Sequence, residues 1–425
     1  MILIIWGTIE LVSLMVIIFK YGSWEMHRKG LRVAAVLVPD RPGGIINPRS
    51  KVIHPYIGVV RQAHLPSAGL TIAGQYRVTE YGFVDVDSPI QKRAPDRLIV
   101  GIMGGSVARQ FACNATELLE EELLKCPEFK GRKCHFVRLG IDGCKQPQQL
   151  MIVNHLLSQG AEFDLIVSLD GLNEIALPGH DNLPYGINSA YPVDWGMLTQ
   201  KYVGDDYVEL LGHSTQIRRQ QQKLARWALS FPQVYSPTAQ VLCGNEYDRL
   251  VEELKTCFLE LTRLNDRRKV YAALGPPESF ESTDALHEHC VEIWYRSSVL
   301  LHRVCLANNI RYFHFLQPNQ YLPGSKPMGP QEVAAAIEVD SRTGAAVKAC
   351  YPRMQIKGPS FHEAGVAFTD LTGVFSEVTE PVYNDGCCHM EKVGDLIMAK
   401  AIGSRICQLV AASRENPLTG GNNAP

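Results

Sequence analysis

The stretch Leu98-Ile99-Val100-Gly101-Ile102-Met103-Gly104-Gly105-Ser106-Val107-Ala108 decides the fold. Residues 98–103 are short, continuously apolar and rich in β-branched side chains, which predicts a buried strand of a parallel sheet. The run stops at two glycines, which let the backbone turn sharply and approach a ligand closely. A helical segment over residues 115–125 follows. Ser106 therefore stands just past the carboxyl end of a strand, where open α/β sheets place their ligands. Two roles fit a serine in such a strand-to-helix turn: a nucleophile or anion contact, or the N-cap of the next helix.

Outward from this stretch, apolar runs alternate with amphipathic segments, the pattern of a doubly wound parallel sheet and an α/β fold class. Strands are expected at residues 98–103, 135–139, 165–169, 270–274 and 312–315. Helices are expected at 115–125, 148–159, 216–229, 247–264, 285–308 and 392–411. Residues 178–237, rich in Pro, Gly, Asn and aromatics before a Gln/Arg-rich helix, interrupt the alternation and read as an insertion beside the active site. Residues 30–96, with Pro39-Asp40-Arg41-Pro42-Gly43-Gly44 and His54-Pro55-Tyr56-Ile57-Gly58, read as a membrane-proximal segment with a few strands.

The chain of 425 residues is long enough for one large α/β domain with insertions or for two domains. Its composition is 46% hydrophobic and 20% charged with a formal charge of −2, so no basic excess points to nucleic acid. Residues 1–19 are apolar except for Glu10 and a few hydroxyls, near the length that crosses a hydrocarbon core, and are read as a transmembrane anchor. Glu10 would cost roughly 3 kcal/mol there, which calls for a partner helix or an interfacial placement. A buried N-terminal helix is the competing reading; a cleaved signal peptide lacks its basic start and its small-residue cleavage site. Lys20, Arg28, Lys29 and Arg32 follow the segment, and the positive-inside rule keeps such a flank cytoplasmic. Twelve cysteines are present, none in zinc-finger spacing. Buried thiols are the expectation, with some pairing if the domain faces an oxidising compartment.

Three further stretches put small or polar residues where strands end. Leu139-Gly140-Ile141-Asp142-Gly143-Cys144 offers an unobstructed backbone N–H at Gly143. Asp170-Gly171-Leu172-Asn173-Glu174 offers a side-chain amide at Asn173. Tyr383-Asn384-Asp385-Gly386-Cys387-Cys388-His389 precedes the last helix. In a parallel sheet the carboxyl ends share one edge, so Ser, Gly, Asn, Asp and His converge. Acyl transfer needs that set: a hydroxyl nucleophile, a base, an acid to hold the base's tautomer, and N–H donors for the oxyanion. His287 and His289, with Glu288 and Glu292, do not match a His-Glu-x-x-His zinc site and read as a solvated helix face. His135 reads as structural, and Asp142 and Glu174 either tune the site or cap turns.

Gly104-Gly105-Ser106, Gly143, Asn173 and the Asp385/His389 pair, in this order, resemble the blocks of the SGNH/GDSL hydrolase superfamily, over roughly residues 97–410. The sequence Phe368-Thr369-Asp370-Leu371, continuing to Phe375, precedes the His block as a similar strand does in many members. The resemblance implies Ser106 as nucleophile, His389 as base and Asp385 as its orienting acid. It implies an oxyanion hole from the Ser106 and Gly143 N–H groups and the Asn173 side chain. It also implies a three-layer α/β/α sandwich resembling flavodoxin, and ester hydrolysis or acyl transfer with no cofactor or metal. Three departures stand out: Gly-Gly-Ser in place of Gly-Asp-Ser, Gly-Leu-Asn-Glu in place of Gly-x-Asn-Asp, and three residues between Asp385 and His389 where the family has two. With the longer spacing, either the turn is one residue longer or a backbone carbonyl orients His389.

The expected organisation is an anchor at 1–19, a membrane-proximal segment at 20–96, an SGNH-like domain at 97–412 with its insertion near 178–237, and a disordered tail at 413–425. The expected function is a single-pass membrane serine esterase or O-acyltransferase acting on acylated small molecules or glycans outside the cytoplasm, a placement that conflicts with the basic flank. The alternative is a catalytically silent relative that binds a glycan or an assembly partner.

Overall fold

The structure, a computed structural model, describes residues 2–36, 51–63, 76–199, 205–267 and 271–415. Residues 39–44 of the Pro/Gly-rich stretch and residues 416–425 of the expected tail lie outside the described residues, and the last helix runs on to Glu415. The chain divides into two compact units, one of Met1–Ser50 with Thr199–Ala273, the other of Lys51–Leu198 with Leu274–Pro425.

The second unit is α/β. It opens with two antiparallel pairs, β1 (Lys51–His54) with β2 (Gly58–Arg61) and β3 (Arg77–Val78) with β4 (Val84–Asp85). A five-stranded parallel sheet follows, of β5 (Arg97–Gly104), β6 (Lys133–Arg138), β7 (Leu165–Asp170), β8 (Arg311–Leu316) and β9 (Ala367–Asp370), in the order β6-β5-β7-β8-β9. β5 is buried from Leu98 onward and β7 along its whole length, which is why both read as mainly apolar rather than alternating; the polar Ser168 and Asp170 of β7 are buried with hydrogen-bond partners. Gly101, at the middle of β5, leaves room for the Phe163 ring, which a Cβ there would meet at 3.2 Å.

Helices flank the sheet in two groups. Ser106–Asn114, Thr116–Leu123 and Lys392–Glu415 pack together; Gln148–Ser158, Leu172–Leu177, Thr283–Ala307 and Arg342–Ile356 form the other set. Right-handed crossovers put the helix that leads from β5 out to β6 and the one that returns to β7 on opposite faces. The chain thus reverses direction between β5 and β7, and the crevice at their carboxyl ends is where such sheets bind ligands.

Two elements differ from expectation. Val270 lies outside the described residues and Tyr271–Leu274 is a single helical turn rather than a strand, consistent with Ala272 and Ala273, which favour helix. The helix expected at 115–125 is preceded by a separate helix, Ser106–Asn114, the two meeting at Ala115.

The other unit holds the helices Ile2–Tyr21, Trp24–Val36, Asp205–Leu229 and Pro237–Arg267. The excursion from the α/β pattern therefore runs over residues 199–273, later than the insertion expected near 178–237. Glu10 faces the start of Pro237–Arg267, accepting from the Ser236 hydroxyl at 2.7 Å and the Thr238 N–H at 3.0 Å. Among the described residues no single helix is long and apolar enough to cross a membrane. Ile5–Tyr21 and Trp24–Arg32 meet that requirement only together, across a 75° bend.

Candidate active site

The site grows from the end of β5. Gly104 has φ +142°, and a Cβ there would lie 2.1 Å from the Leu169 carbonyl oxygen, so only glycine lets β5 turn against β7. Gly105 is the helix N-cap and makes no side-chain cap; Ser106 is the first helical residue. The Ser106 hydroxyl is thus not the cap. It sits 2.7 Å from His389 Nε2, and His389 Nδ1 is 2.6 Å from Asp385 Oδ2.

The turn that carries Asp385 and His389 is closed on itself. Tyr383 pairs with Met390, and the Asn384 N–H donates to the His389 carbonyl at 3.1 Å. Asp385 Oδ1 accepts the Cys387 N–H at 2.8 Å and the His389 N–H at 3.2 Å, leaving Oδ2 for the imidazole. Cys388 takes a left-handed φ of +61°, and this one residue absorbs the extra length between Asp385 and His389. Upstream, buried Glu332 accepts the Val382 and Tyr383 N–H groups at 2.7 and 2.8 Å, and Gln320 Nε2 donates to the Asp385 carbonyl at 2.9 Å. Burial pushes the Asp385 carboxyl up, but the hydrogen bond and charge of His389 and the two backbone donors outweigh it and hold the group below its ordinary value.

Two more loops reach the same edge. Asn173 Nδ2 donates to the Cys144 carbonyl at 2.8 Å, and a Cβ on Gly105 would lie 2.1 Å from that nitrogen, so the amide is pressed against the turn that presents Ser106. Gly143, with φ +74°, lies in the loop that also supplies Cys144. Glu174 ties these loops together: its carboxylate accepts the Gly171 N–H at 2.9 Å, the Gln146 N–H at 3.1 Å and Gln149 Nε2 at 3.1 Å. Burial, then the charge of Asp170, pushes Glu174 up to about 8. Asp142 pairs with Arg109 at 2.6 Å, on the helix that starts with Ser106, and with Arg61. Burial raises its carboxyl, but the two guanidinium groups bring it below its ordinary value.

The geometry brings together Ser106, His389, Asp385 and Asn173, with Gly143 in the adjoining loop. Glu332, Gln320 and Asp395 were not singled out from sequence. Asp395, on the first turn after the His block, is buried, accepts from Asn114 Nδ2 at 2.7 Å and is pushed up to about 7 by burial. Only its place in a helix start with the last block marks it in the sequence. His289 lies 3.2 Å from the Ser189 hydroxyl and 3.6 Å from Glu278. Among the described residues no group of three or more His, Cys, Asp or Glu is placed to hold a metal ion, and all twelve cysteines are free thiols.

Compared with models of known protein families and with curated proteins, the sequence matches none.

Proposed function

We propose that the chain is a serine-dependent hydrolase or O-acyltransferase of the SGNH type, with a flavodoxin-like three-layer α/β/α unit. The observation that carries this reading is the continuous hydrogen-bond chain from Ser106 Oγ through His389 to Asp385, at the carboxyl edge of the sheet. The buried chain Ser298–His314–Asp170 has the same three residue types, but the Ser106 chain is partly exposed at the sheet edge, where a substrate can reach the hydroxyl.

In the reaction, His389 Nε2 takes the Ser106 proton as Oγ attacks the ester carbonyl. Asp385 holds the Nδ1–H tautomer and stabilises the imidazolium. The carbonyl oxygen gains charge facing the Ser106 N–H at the helix start, the Gly143 N–H, and the second N–H of Asn173, whose first is given to Cys144. His389 then gives its proton to the leaving alkoxide. Water, or an acceptor hydroxyl deprotonated by the same imidazole, attacks the acyl-enzyme and restores Ser106.

The substrate class is an acyl ester on a small molecule or a glycan, by analogy with the superfamily. In the same reading the N-terminal helix pair holds the protein at a membrane, as a single-pass anchor with the catalytic unit outside the cytoplasm. Its support is the apolar face of Ile2–Tyr21, where Ile5, Trp6, Leu11, Val12, Met15 and Phe19 are exposed. A fluorophosphonate probe tests the catalytic part: the wild-type chain takes up one label and the Ser106→Ala variant none. A chain inert to the probe and to short-chain esters, with its fold intact, refutes the enzyme and favours a binding protein built on the same fold.

A further inference from the structure

Helix Ile2–Tyr21 presents an inverted surface. Its packed side is the stripe Glu10, Ser13, Leu14, Ile17 and Tyr21, at the i, i+3, i+4, i+7 spacing of one helix face. Its open side is apolar, and Phe19 is 94% exposed. The packed stripe runs along Pro237–Arg267 in parallel: Glu10 meets Thr238, Ser13 meets Thr238 at 3.2 Å, and Lys20 meets Asp248 at 2.5 Å.

The turn beside Glu10 shares this character. Residues 227–244, eighteen in a chain that is 20% charged, contain no Asp, Glu, Lys, Arg or His. Charge resumes on both sides of the stretch: at Glu246 and at Asp248, which meets Lys20 on the neighbouring helix, and at exposed Arg226. The Ala228–Gln240 and Leu224–Cys243 contacts put Arg226 level with about residue 241, where its long side chain can snorkel toward the headgroups. Within the stretch Phe231 is 82%, Tyr235 71% and Leu242 64% exposed. Three of its polar side chains, Gln240, Ser230 and Ser236, are closed on the protein, while the Tyr235 ring carries its hydroxyl outward as aromatic side chains do at a membrane interface. Gln240 Nε2 donates to the Ala228 and Gln233 carbonyls at 2.7 and 3.0 Å, the Ser230 hydroxyl to the Trp227 carbonyl at 2.6 Å, and the Ser236 hydroxyl to Glu10. Internal satisfaction of polar groups is what a hydrocarbon solvent demands and water does not.

We propose that the turn formed by residues 227–244 enters the lipid bilayer beside helix Ile2–Tyr21, to the depth of one leaflet. The length fits: from Thr238 to Asp248 the helix rises about 15 Å at about 1.5 Å per residue, half of a hydrocarbon core of about 30 Å. Glu10 belongs to the same device. Its carboxylate closes the start of Pro237–Arg267, taking the Ser236 hydroxyl and the Thr238 N–H at the positive end of that helix. The acidic residue that opposes insertion of the first helix alone is thereby satisfied by the element that inserts with it.

The proposal rests on the membrane reading above, and the experiment separates the two. The full chain is reconstituted in phosphatidylcholine vesicles as wild type and with Phe231→Cys, Tyr235→Cys or Leu259→Cys, and extra labelling over wild type by a polar maleimide is measured before and after dissolution in SDS. Leu259 is an exposed residue of the same helix beyond the charge boundary and serves as the control. The expected result is loss of labelling at 231 and 235 in vesicles, its return in SDS, and labelling at 259 throughout. Labelling at 231 and 235 equal to that at 259, with wild type resistant to carbonate, overturns the proposal and leaves the anchor. Protection accompanied by cross-linked dimers in mild detergent overturns it in favour of a second copy. Release of wild type by carbonate overturns the anchor and the proposal together.

Discussion

Replacing Asp385 by Asn tests the proposed catalytic chain at its most unusual point. In the wild-type turn, Oδ1 is committed to the Cys387 and His389 N–H groups and Oδ2 to His389 Nδ1. An asparagine keeps the two backbone bonds with its oxygen and so turns its NH2 group toward Nδ1. Donor then faces donor, and the imidazole relieves the clash by moving its proton to Nε2. That nitrogen can no longer accept from Ser106. A wrong tautomer at a buried acid costs about 10⁴-fold in the serine-protease triad. The Asp385 side chain is 44% exposed, so water screens it and can compete for Nδ1. A loss of roughly 10² to 10³ in kcat, about 3–4 kcal/mol of barrier, is the expected outcome. Asp385→Ala should lose less, because a water can accept from Nδ1–H where the asparagine amide cannot. Hydrolysis of a chromogenic short-chain ester by both variants, with thermal melting to show that the fold survives, gives the comparison. Because the carboxyl sits below its ordinary value, it is ionised at neutral pH, and the wild-type profile should show no loss from this group there. Asp385→Asn activity within about twofold of wild type would remove Asp385 from the chain and leave His389 oriented by other means.

Ser106→Ala and His389→Ala should each abolish ester turnover with little change in melting temperature; an active Ser106→Ala protein refutes the nucleophile, since its side chain is not spent on capping the helix. Asn173→Ala should lower kcat by roughly 10² to 10³, the cost of one oxyanion donor, and a change confined to KM would place the amide in substrate binding instead. Asp395 has its folded-state value pushed up to about 7 from an ordinary 3.8, so the folded protein keeps a proton that the unfolded chain gives up. Stability from this group is therefore full at low pH and falls as pH rises from about 4 through about 7, by at most about 4 kcal/mol. Asp395→Asn should flatten that fall, and urea midpoints that decline equally in both proteins between pH 5 and 8.5 would contradict it. Protease access from either side of sealed vesicles reads sidedness: digestion of the α/β unit from outside supports the extracytoplasmic placement, and full protection supports the basic flank.

What the sequence discloses is what each stretch must satisfy by itself. β5 from Leu98 onward and β7 are buried, so their residues are mainly apolar, and both are visible as apolar runs, β7 broken by Ser168 and ended by Asp170. Ser106 and Asn173 are visible because each follows such a run, Gly143 because it lies in the glycine-bearing loop after the mixed strand β6, and the parallel sheet supplies the convergence. The four residues ending at Leu274 fail for the complementary reason. A short apolar run without a partner strand in view reads equally as strand or helical turn, and position in the chain decides. Glu10 is hidden in the same way: in its own helix it is a charge in an apolar stretch, and only the start of a helix more than two hundred residues on gives it a partner.

The spacing of Asp385 and His389 shows where counting residues stops being informative. A family pattern with two intervening residues fixes the number because the turn has one common shape, yet the chemistry requires only that a carboxylate oxygen reach Nδ1. Here a third intervening residue is accommodated by the left-handed Cys388 and by the Cys387 and His389 N–H groups converging on Oδ1, and the contact to Nδ1 is still 2.6 Å. Asparagine and glycine visit that backbone region at low cost, whereas cysteine does so against a steric penalty. Cys388 is completely enclosed, with Gln317 Nε2 at 3.2 Å from its sulfur, so packing of its side chain into the core holds the backbone in that conformation. Cys388→Gly should relieve the backbone while removing the packed sulfur. The reach of the acid is thus set by a buried side chain that the sequence presents only as the second of two adjacent cysteines.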